Sequence, residues 1–521
     1  MKKFLILLIS AGFTLTAFAQ TSVSGYVYED ANSNGKRDKK EKGIAGIGVS
    51  NGTEVAMTDA QGKYTLPVGN DNIIFVIKPA NYNLPVAKTQ LPLFYYNHKP
   101  EGSPASFKYK GVDPTGPLPK SVDFALLPAA ENKSFTSLIF GDPQPYTLEE
   151  IEYFAKGVVS EVEGIKNVQF GLSLGDLVGD ALDLHNPYIQ ATQKVGIPWF
   201  NVMGNHDMNY DAVSDSLSDE TFEANFGPAN YSFNYGNVHF IILDDIIYPD
   251  PRDGKGYWGG FRENQLKFIE NDLKLVPKEK LVVLAFHIPL FTEGDEAFNL
   301  EHRKHLFTLL KDYEHTLSLS AHTHLQRQNF YDAKDGWLAK KPHHEYNVGT
   351  TSGDWYSGAF NAKGIPVSTM RDGTPKGYAF IHFNDNQYTI DYKVVDKDSS
   401  YQVDIYSPNT LSGSKPGSAR VYANFFMGHE KSELEIKFGK GGWKKMKYVE
   451  TIDPGYTAAM VEWDKATKLT GNRRPSLPSN STHLYEAVFP KNMKPGKYTI
   501  EVKAKDMFGR TFTAKKDVTV Q

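Results

Sequence analysis

The chain has 521 residues, 57 basic and 61 acidic side chains, a formal charge of -4 and no cysteine. The length exceeds what one hydrophobic core serves and points to roughly three domains. The near balance of charge excludes a global field for nucleic acid or anionic membranes, and the missing cysteine excludes disulfides, thiolate metal sites, cysteine nucleophiles and a lipid-modified cysteine.

Residues 1–19 have the three parts of a secretory signal: Lys2 and Lys3, an apolar run from Phe4 to Phe13, and small residues at Ala17 and Ala19 before Gln20. The run falls short of the roughly 20 apolar residues a membrane span needs. An exported protein, periplasmic or secreted and without a transmembrane anchor after cleavage, is the expectation.

Residues 20–128 read as short strands broken by Asn-Gly, Gln-Gly and Pro-rich turns, for example Ser24 to Tyr28 and Lys63 to Leu66, and predict a β-sandwich. The stretches Ala45 to Ser50 and Thr58 to Tyr64 resemble carboxypeptidase-regulatory-like and surface-repeat B-type β-domains. In the same segment Asp30, Asn32, Asn34, Gly35, Asp38 and Glu41, with the backbone of Lys36, fit the spacing of a calcium loop. The alternative is a polar hairpin loop of turn-forming residues.

Between 129 and 346 apolar strand-like runs alternate with helical patterns. Leu148, Ile151, Phe154, Val158 and Val162 share a helical face, opened by a Thr147/Glu150 capping box, and Leu266, Ile269 and Leu273 form the inner stripe of a second helix. Five runs, Leu138 to Phe140, Val168 to Leu174, Trp199 to Met203, Leu281 to Phe286 and Leu317 to Leu319, are each followed at once by metal-ligand residue types. Loops at the ends of rigid strands are where an α/β sheet carries its chemistry. From 347 to 521 alternation returns, as in Tyr378 to Ile381, Tyr388 to Tyr392 and Tyr498 to Val502, and predicts a second β-domain whose first loop lies at the active site.

The blocks after those strands are Gly141-Asp142-Pro143-Gln144, Gly175-Asp176 through Asp180, Gly204-Asn205-His206-Asp207, His287, and His322-Thr323-His324. In this order they resemble the five-block signature of the calcineurin-like metallophosphoesterase superfamily. The resemblance implies an α/β fold, a four-layer αββα sandwich flanked here by all-β sandwich domains. It also implies two divalent transition metals, one held by Asp142, Gln144, Asp176 and His324, the other by Asp176, Asn205, His287 and His322. Two close cations need a bridging carboxylate and a shared hydroxide nucleophile, and Asp176 is the expected bridge. His206 would assist at the phosphoryl group, with Asp207 orienting its ring. Imidazole, carboxylate and amide oxygen together suit manganese, iron, zinc or nickel, and Gln144, where most members have histidine, should weaken the first site or shift it toward manganese or iron.

The expected substrate is a phosphomonoester or phosphodiester, with no nucleic-acid partner. The rival reading is a non-catalytic metal-binding surface protein built on the same scaffold. Candidate substrate contacts are Asn209, Tyr210, Arg252, Trp258, Trp355 and Tyr356, Arg252 because guanidinium matches phosphate oxygens. The remaining histidines, including His185, His239, His302, His305 and His315, read as surface or satisfied core residues.

Overall fold

The computed structural model describes residues 21–291, 297–412 and 416–521. The signal segment lies outside the described residues. No described helix is long and apolar enough to cross a membrane.

Two sheets face each other at the centre. In the first, Trp199–Val202, Phe170–Leu174 and Ser134–Phe140 run parallel, and Gly377–Asn384 and Gln387–Val394 add antiparallel strands beyond Ser134–Phe140. In the second, Val238–Ile242, Leu281–Ala285, Thr316–Ser320 and His343–Asn347 run parallel, with antiparallel edges Tyr231–Tyr235 and Arg327–Tyr331. Strands buried on both faces must be apolar throughout, which is why Leu281 to Ala285 reads as an unbroken run. Aromatic rings close the gap between the sheets: Phe200 stacks on Phe233 at 4.3 Å, and Phe170 meets Phe240 edge-on at 5.3 Å.

Helices cover the outer faces. Leu148–Phe154 continues through a π-turn at Ala155–Val159 and packs with His185–Thr192 over the first sheet, where Phe154 meets Phe140 and Tyr188. Thr147 caps the helix as predicted by accepting from the Glu150 amide, but the Glu150 carboxylate returns to the Tyr146 amide rather than to Thr147. Leu148, the first residue of the helix, is exposed. Glu263–Leu273 packs with Leu300–Leu310 on the other side, burying Leu266, Ile269 and Leu273. The result is the four-layer αββα sandwich.

The flanking domains are β-rich. The N-terminal one pairs a four-stranded sheet around Ser22–Glu29 with another around Gly48–Ser50. The C-terminal one packs sheets around Arg420–Phe425 and Gly496–Lys505 and also carries a helix, Pro454–Lys465, capped by Asp453. The boundary expected at 347 does not separate the sheets. Residues 377–394 return to extend the central sheet along Ser134–Phe140, because that strand would otherwise expose an unpaired edge.

Buried charge ties the N-terminal domain to the central layers. Lys99 Nζ lies 2.6 Å from Glu220, 2.8 Å from Glu223 and 2.9 Å from Asp71, filling a cluster of carboxylates that could otherwise hold a metal ion. Burial alone would lower the Lys99 pKa, yet these carboxylates hold it above its ordinary value. Lys99→Met strands Glu220 in the interior and should cost about 3–5 kcal/mol, read as a lower denaturation midpoint. Lys110→Met, removing an exposed pair with Asp113, should leave the midpoint in place.

Candidate metal centre

The five sequence blocks emerge at neighbouring strand ends, and the backbone there turns sharply. Asp142, Gln144, Asp176, Asp180, His322 and His324 all have left-handed φ, between 31° and 67°. Non-glycine residues enter this region at a cost of about 1–3 kcal/mol each, and such strain gathers at functional sites. Two glycines make the crowding possible. A Cβ on Gly204 would sit 1.9 Å from the Asp176 amide nitrogen, and one on Gly175 would sit 2.5 Å from His287 Nδ1.

All seven predicted ligands converge. His287 Nε2 lies 3.2 Å from Asp176 Oδ1, 3.1 Å from Asn205 Oδ1 and 3.2 Å from His322 Nδ1. His324 Nε2 is 2.7 Å from Gln144 Oε1, and both Asp142 oxygens accept from the His322 amide at 3.1 Å. Asp176, His287 and His322 bring donor atoms close enough for one ion.

The surrounding shell aims these donors. His287 Nδ1 donates to Leu174 O at 2.8 Å and His324 Nδ1 to Gly353 O at 2.6 Å, which turns each Nε2 toward the centre. The backbone after His287 is pinned by buried Asp245, which accepts from the His287 and Ile288 amides. Each amide ligand is oriented by a tyrosine. The Gln144 NH2 donates to Tyr146 at 3.3 Å, and Asn205 hydrogen-bonds the Tyr210 hydroxyl, so both amide oxygens are left for the centre.

Electrostatics fit a cation. Burial depresses the imidazolium forms of His322, to about 3, and His324, to about 4, so both offer free lone pairs at neutral pH. His287 differs. Burial would lower it, but Asp176 and Asp142 raise it to about 10, so a proton stands in for positive charge among facing donors. Burial pushes Asp142 up to about 8, while Asp176, equally buried, is held low by His287 and His206.

His206 lies beside the centre, with its amide donating to Asp176 Oδ1 at 2.9 Å. Asp207, expected to orient its ring, does not reach it. The His206 Nδ1 partner is Asp180 Oδ1 at 2.7 Å. Asp207 is buried and accepts instead from the amides of Leu177, Val178 and Gly204, with His185 Nε2 at 3.3 Å. A carboxylate at the third helical position is well placed to collect loop amides, so it staples the Asp176 loop to the Asn205 loop.

The substrate candidates divide. Tyr210 touches Asn205, and Trp355 stacks on His324 at 4.0 Å, so both border the centre. Asn209 is buried against Thr221. Tyr356 is buried and gives its hydroxyl to Pro143 O. Arg252 is committed to Asp250 and lies over buried Trp258 at 4.1 Å, so neither meets the expectation. Sequence reasoning missed Tyr146, Asp180 and Tyr257, whose ring is 6.2 Å from that of His322. Asp180 had a signal, since it closes the Gly-Asp-Leu-Val-Gly-Asp block. The histidines read as non-functional include His185, whose Nε2 meets Asp207 at 3.3 Å while its Nδ1 is buried without a hydrogen-bond partner among the described residues, and His239, which bonds Asp272 at 2.8 Å. In the N-terminal domain, Asp30, Asn32, Asn34, Lys36, Asp38 and Glu41 share one turn. There Asp30 accepts from the amides of Asn34 and Gly35, Asp38 from the Asn32 and Asn34 side chains, Asn34 from the Lys36 amide, and Glu41 from the Asp38 amide.

Comparison with known proteins places these features. The model described as calcineurin-like phosphoesterase matches residues 135–326, that of its N-terminal domain 31–112 and that of its C-terminal domain 345–512. A curated relative, Colossin-A of Dictyostelium discoideum, is 36% identical over 69 residues, 13% of this chain, and the match spans 1% of that protein's length. Among solved structures, GAP50, the anchor in the inner membrane complex of Plasmodium, is 18% identical, over 51% of this chain and 85% of that one, with a TM-score of 0.31. The purple acid phosphatase PPD1 from yellow lupin (Lupinus luteus) seeds is 12% identical, over 73% of this chain and 67% of that one, with a TM-score of 0.36.

The division between Asp207 and Asp180 is testable by unfolding. Asp207→Ala leaves three buried amides without an acceptor and should cost about 3 kcal/mol or more. Asp180→Asn, at a half-exposed carboxylate, should leave the denaturation midpoint nearly unchanged.

Proposed function

Since this chain belongs to the calcineurin-like phosphoesterase family, we propose that it is an exported hydrolase of phosphate mono- or diesters that works with two divalent metals. The observation that carries the reading is the convergence of two carboxylates, two amide oxygens and three imidazoles, with His322 and His324 neutral, on one buried centre. Asp142, Gln144, Asp176 and His324 would hold one metal, and Asp176, Asn205, His287 and His322 the other. Imidazole, carboxylate and amide oxygen together suit manganese, iron, zinc or nickel. When bound, such ions supply an acidified water and charge for the phosphoryl oxygens.

The chain's own residues do the rest. Asp180 fixes the His206 ring through Nδ1, which leaves Nε2 for the substrate. Burial would lower the His206 pKa, but Asp176 and Asp180 raise it to about 9, so the ring is protonated at neutral pH. A positioned imidazolium can steady phosphoryl oxygens or give its proton to the leaving oxygen. Tyr146, Tyr210, Tyr257 and Trp355 would wall the substrate and limit water. A structural calcium ion in the Asp30 to Glu41 turn belongs to the same proposal, with Asp30, Asp38 and Glu41 as its charged oxygens.

Manganese- or zinc-loaded protein should turn over an aryl phosphate or bis-aryl phosphate, and lose that turnover on chelation. Asp176→Asn should abolish turnover and lower the metal content measured by elemental analysis. His206→Ala should cut kcat about 10²–10⁴-fold while retaining full metal. Equal metal loss in both variants would overturn the assigned roles, and a fully loaded protein inert on both esters would favour a binding module.

A further inference from the structure

The guanidinium positioned beside the centre is Arg371, not Arg252. It comes from the loop that precedes the returning strand Gly377–Asn384. Its Nη2 donates 2.8 Å to the carbonyl of Thr323, the residue between His322 and His324. Its Cζ lies 5.6 Å from the centre of the Trp355 ring, which stacks on His324.

The backbone around Arg371 is fixed in advance. A turn is closed by Met370 N donating to Thr374 O at 2.8 Å and Gly373 N to Met370 O at 2.9 Å, with Gly373 at φ 86°, where a Cβ would strike the Asp453 carboxylate. Asp372 is buried and accepts from the Gln326 and Thr374 amides, and Ser479 N donates to Arg371 O at 3.0 Å. Such anchoring suits a binding residue, because little freedom remains to be lost when a ligand arrives.

The guanidinium itself is under-used. Among the described residues it makes no ion pair, and its Nε is buried without a hydrogen-bond partner. Neighbouring Arg473 contrasts with it, since that side chain is neutralised by Glu150. Nearby Asp354 directs one oxygen to Ser357, Ser476 and Tyr456. A cation held rigidly next to a metal-binding histidine, with donors to spare, matches the fork geometry of phosphate oxygens.

We propose that Arg371 binds a non-bridging anionic oxygen of the substrate beside the metal centre and selects substrates with a second negative charge, that is, phosphomonoesters or terminal phosphates over diesters. This rests on the hydrolase reading for its substrate class. A diester offers one charge, which the centre itself can take up, and leaves Arg371 without a partner.

The test uses the full metal-loaded protein, with inorganic phosphate as the binding probe and a matched pair of aryl mono- and diesters. Arg371→Ala should weaken phosphate binding about 10-fold or more, and lower kcat/KM for the monoester by a similar factor, while the diester changes less than about 3-fold. Arg371→Lys, keeping the charge without the fork, should fall between and covers the case in which the alanine variant does not fold. Unchanged phosphate affinity would overturn the proposal. So would an equal loss on both esters, or a loss of bound metal, since an arginine that merely braces Thr323 and Trp355 would act that way. If wild-type protein turned over neither ester, the hydrolase reading would fail, whereas phosphate affinity, read without turnover, would still decide for or against Arg371.

Discussion

Everything at this centre depends on crowded donors being held together in a buried place, with the His287 imidazolium as the positive charge among them. Two carboxylates and two amide oxygens crowded in the interior are electrostatically unfavourable neighbours, and one imidazolium offsets only part of that cost. The fold holds them by placing each at the end of a buried strand and forcing the backbone into the left-handed region at five of the seven: Asp142, Gln144, Asp176, His322 and His324. The paired sheets, with their interlocked Phe170, Phe200, Phe233 and Phe240, provide the rigidity that offsets this strain.

A second layer turns rough proximity into aim. Carbonyls of Leu174 and Gly353 fix two imidazoles, Tyr146 and Tyr210 fix two amides, and Asp245 and Asp207 collect the backbone amides of the ligand loops. The Gln144 position gains from this. A glutamine could turn its NH2 group toward the centre, and the Tyr146 hydroxyl, as acceptor, stands against that rotation.

The flanking domains are not loose attachments. The loop from Thr350 to Tyr356 hydrogen-bonds the Gly141 to Pro143 turn, and the 371–374 turn reaches the His322 to His324 block while leaning on the C-terminal sandwich through Asn424 and Asp453. The surroundings of the centre are therefore made partly from chain that follows His324. On the opposite side Lys78 and Lys99 carry the N-terminal sandwich on buried ionic contacts.

The sequence by itself determined the five strands, the ligand types after them and the two central helices, since strand periodicity and ligand chemistry are local properties. It also marked Trp355 and Tyr210, which lie beside aromatic and ligand motifs. It did not show the partners of Asp207, Arg252, Asn209 and Tyr356, because a side chain near a motif does not reveal which group captures it. Only the tertiary structure decided that Asp180 holds His206, that residues 377–394 complete the first sheet, and that Arg371 reaches the Thr323 carbonyl. Those relations join positions 26 to about 250 residues apart, where hydrogen-bond competition and strand pairing, not local pattern, set the outcome.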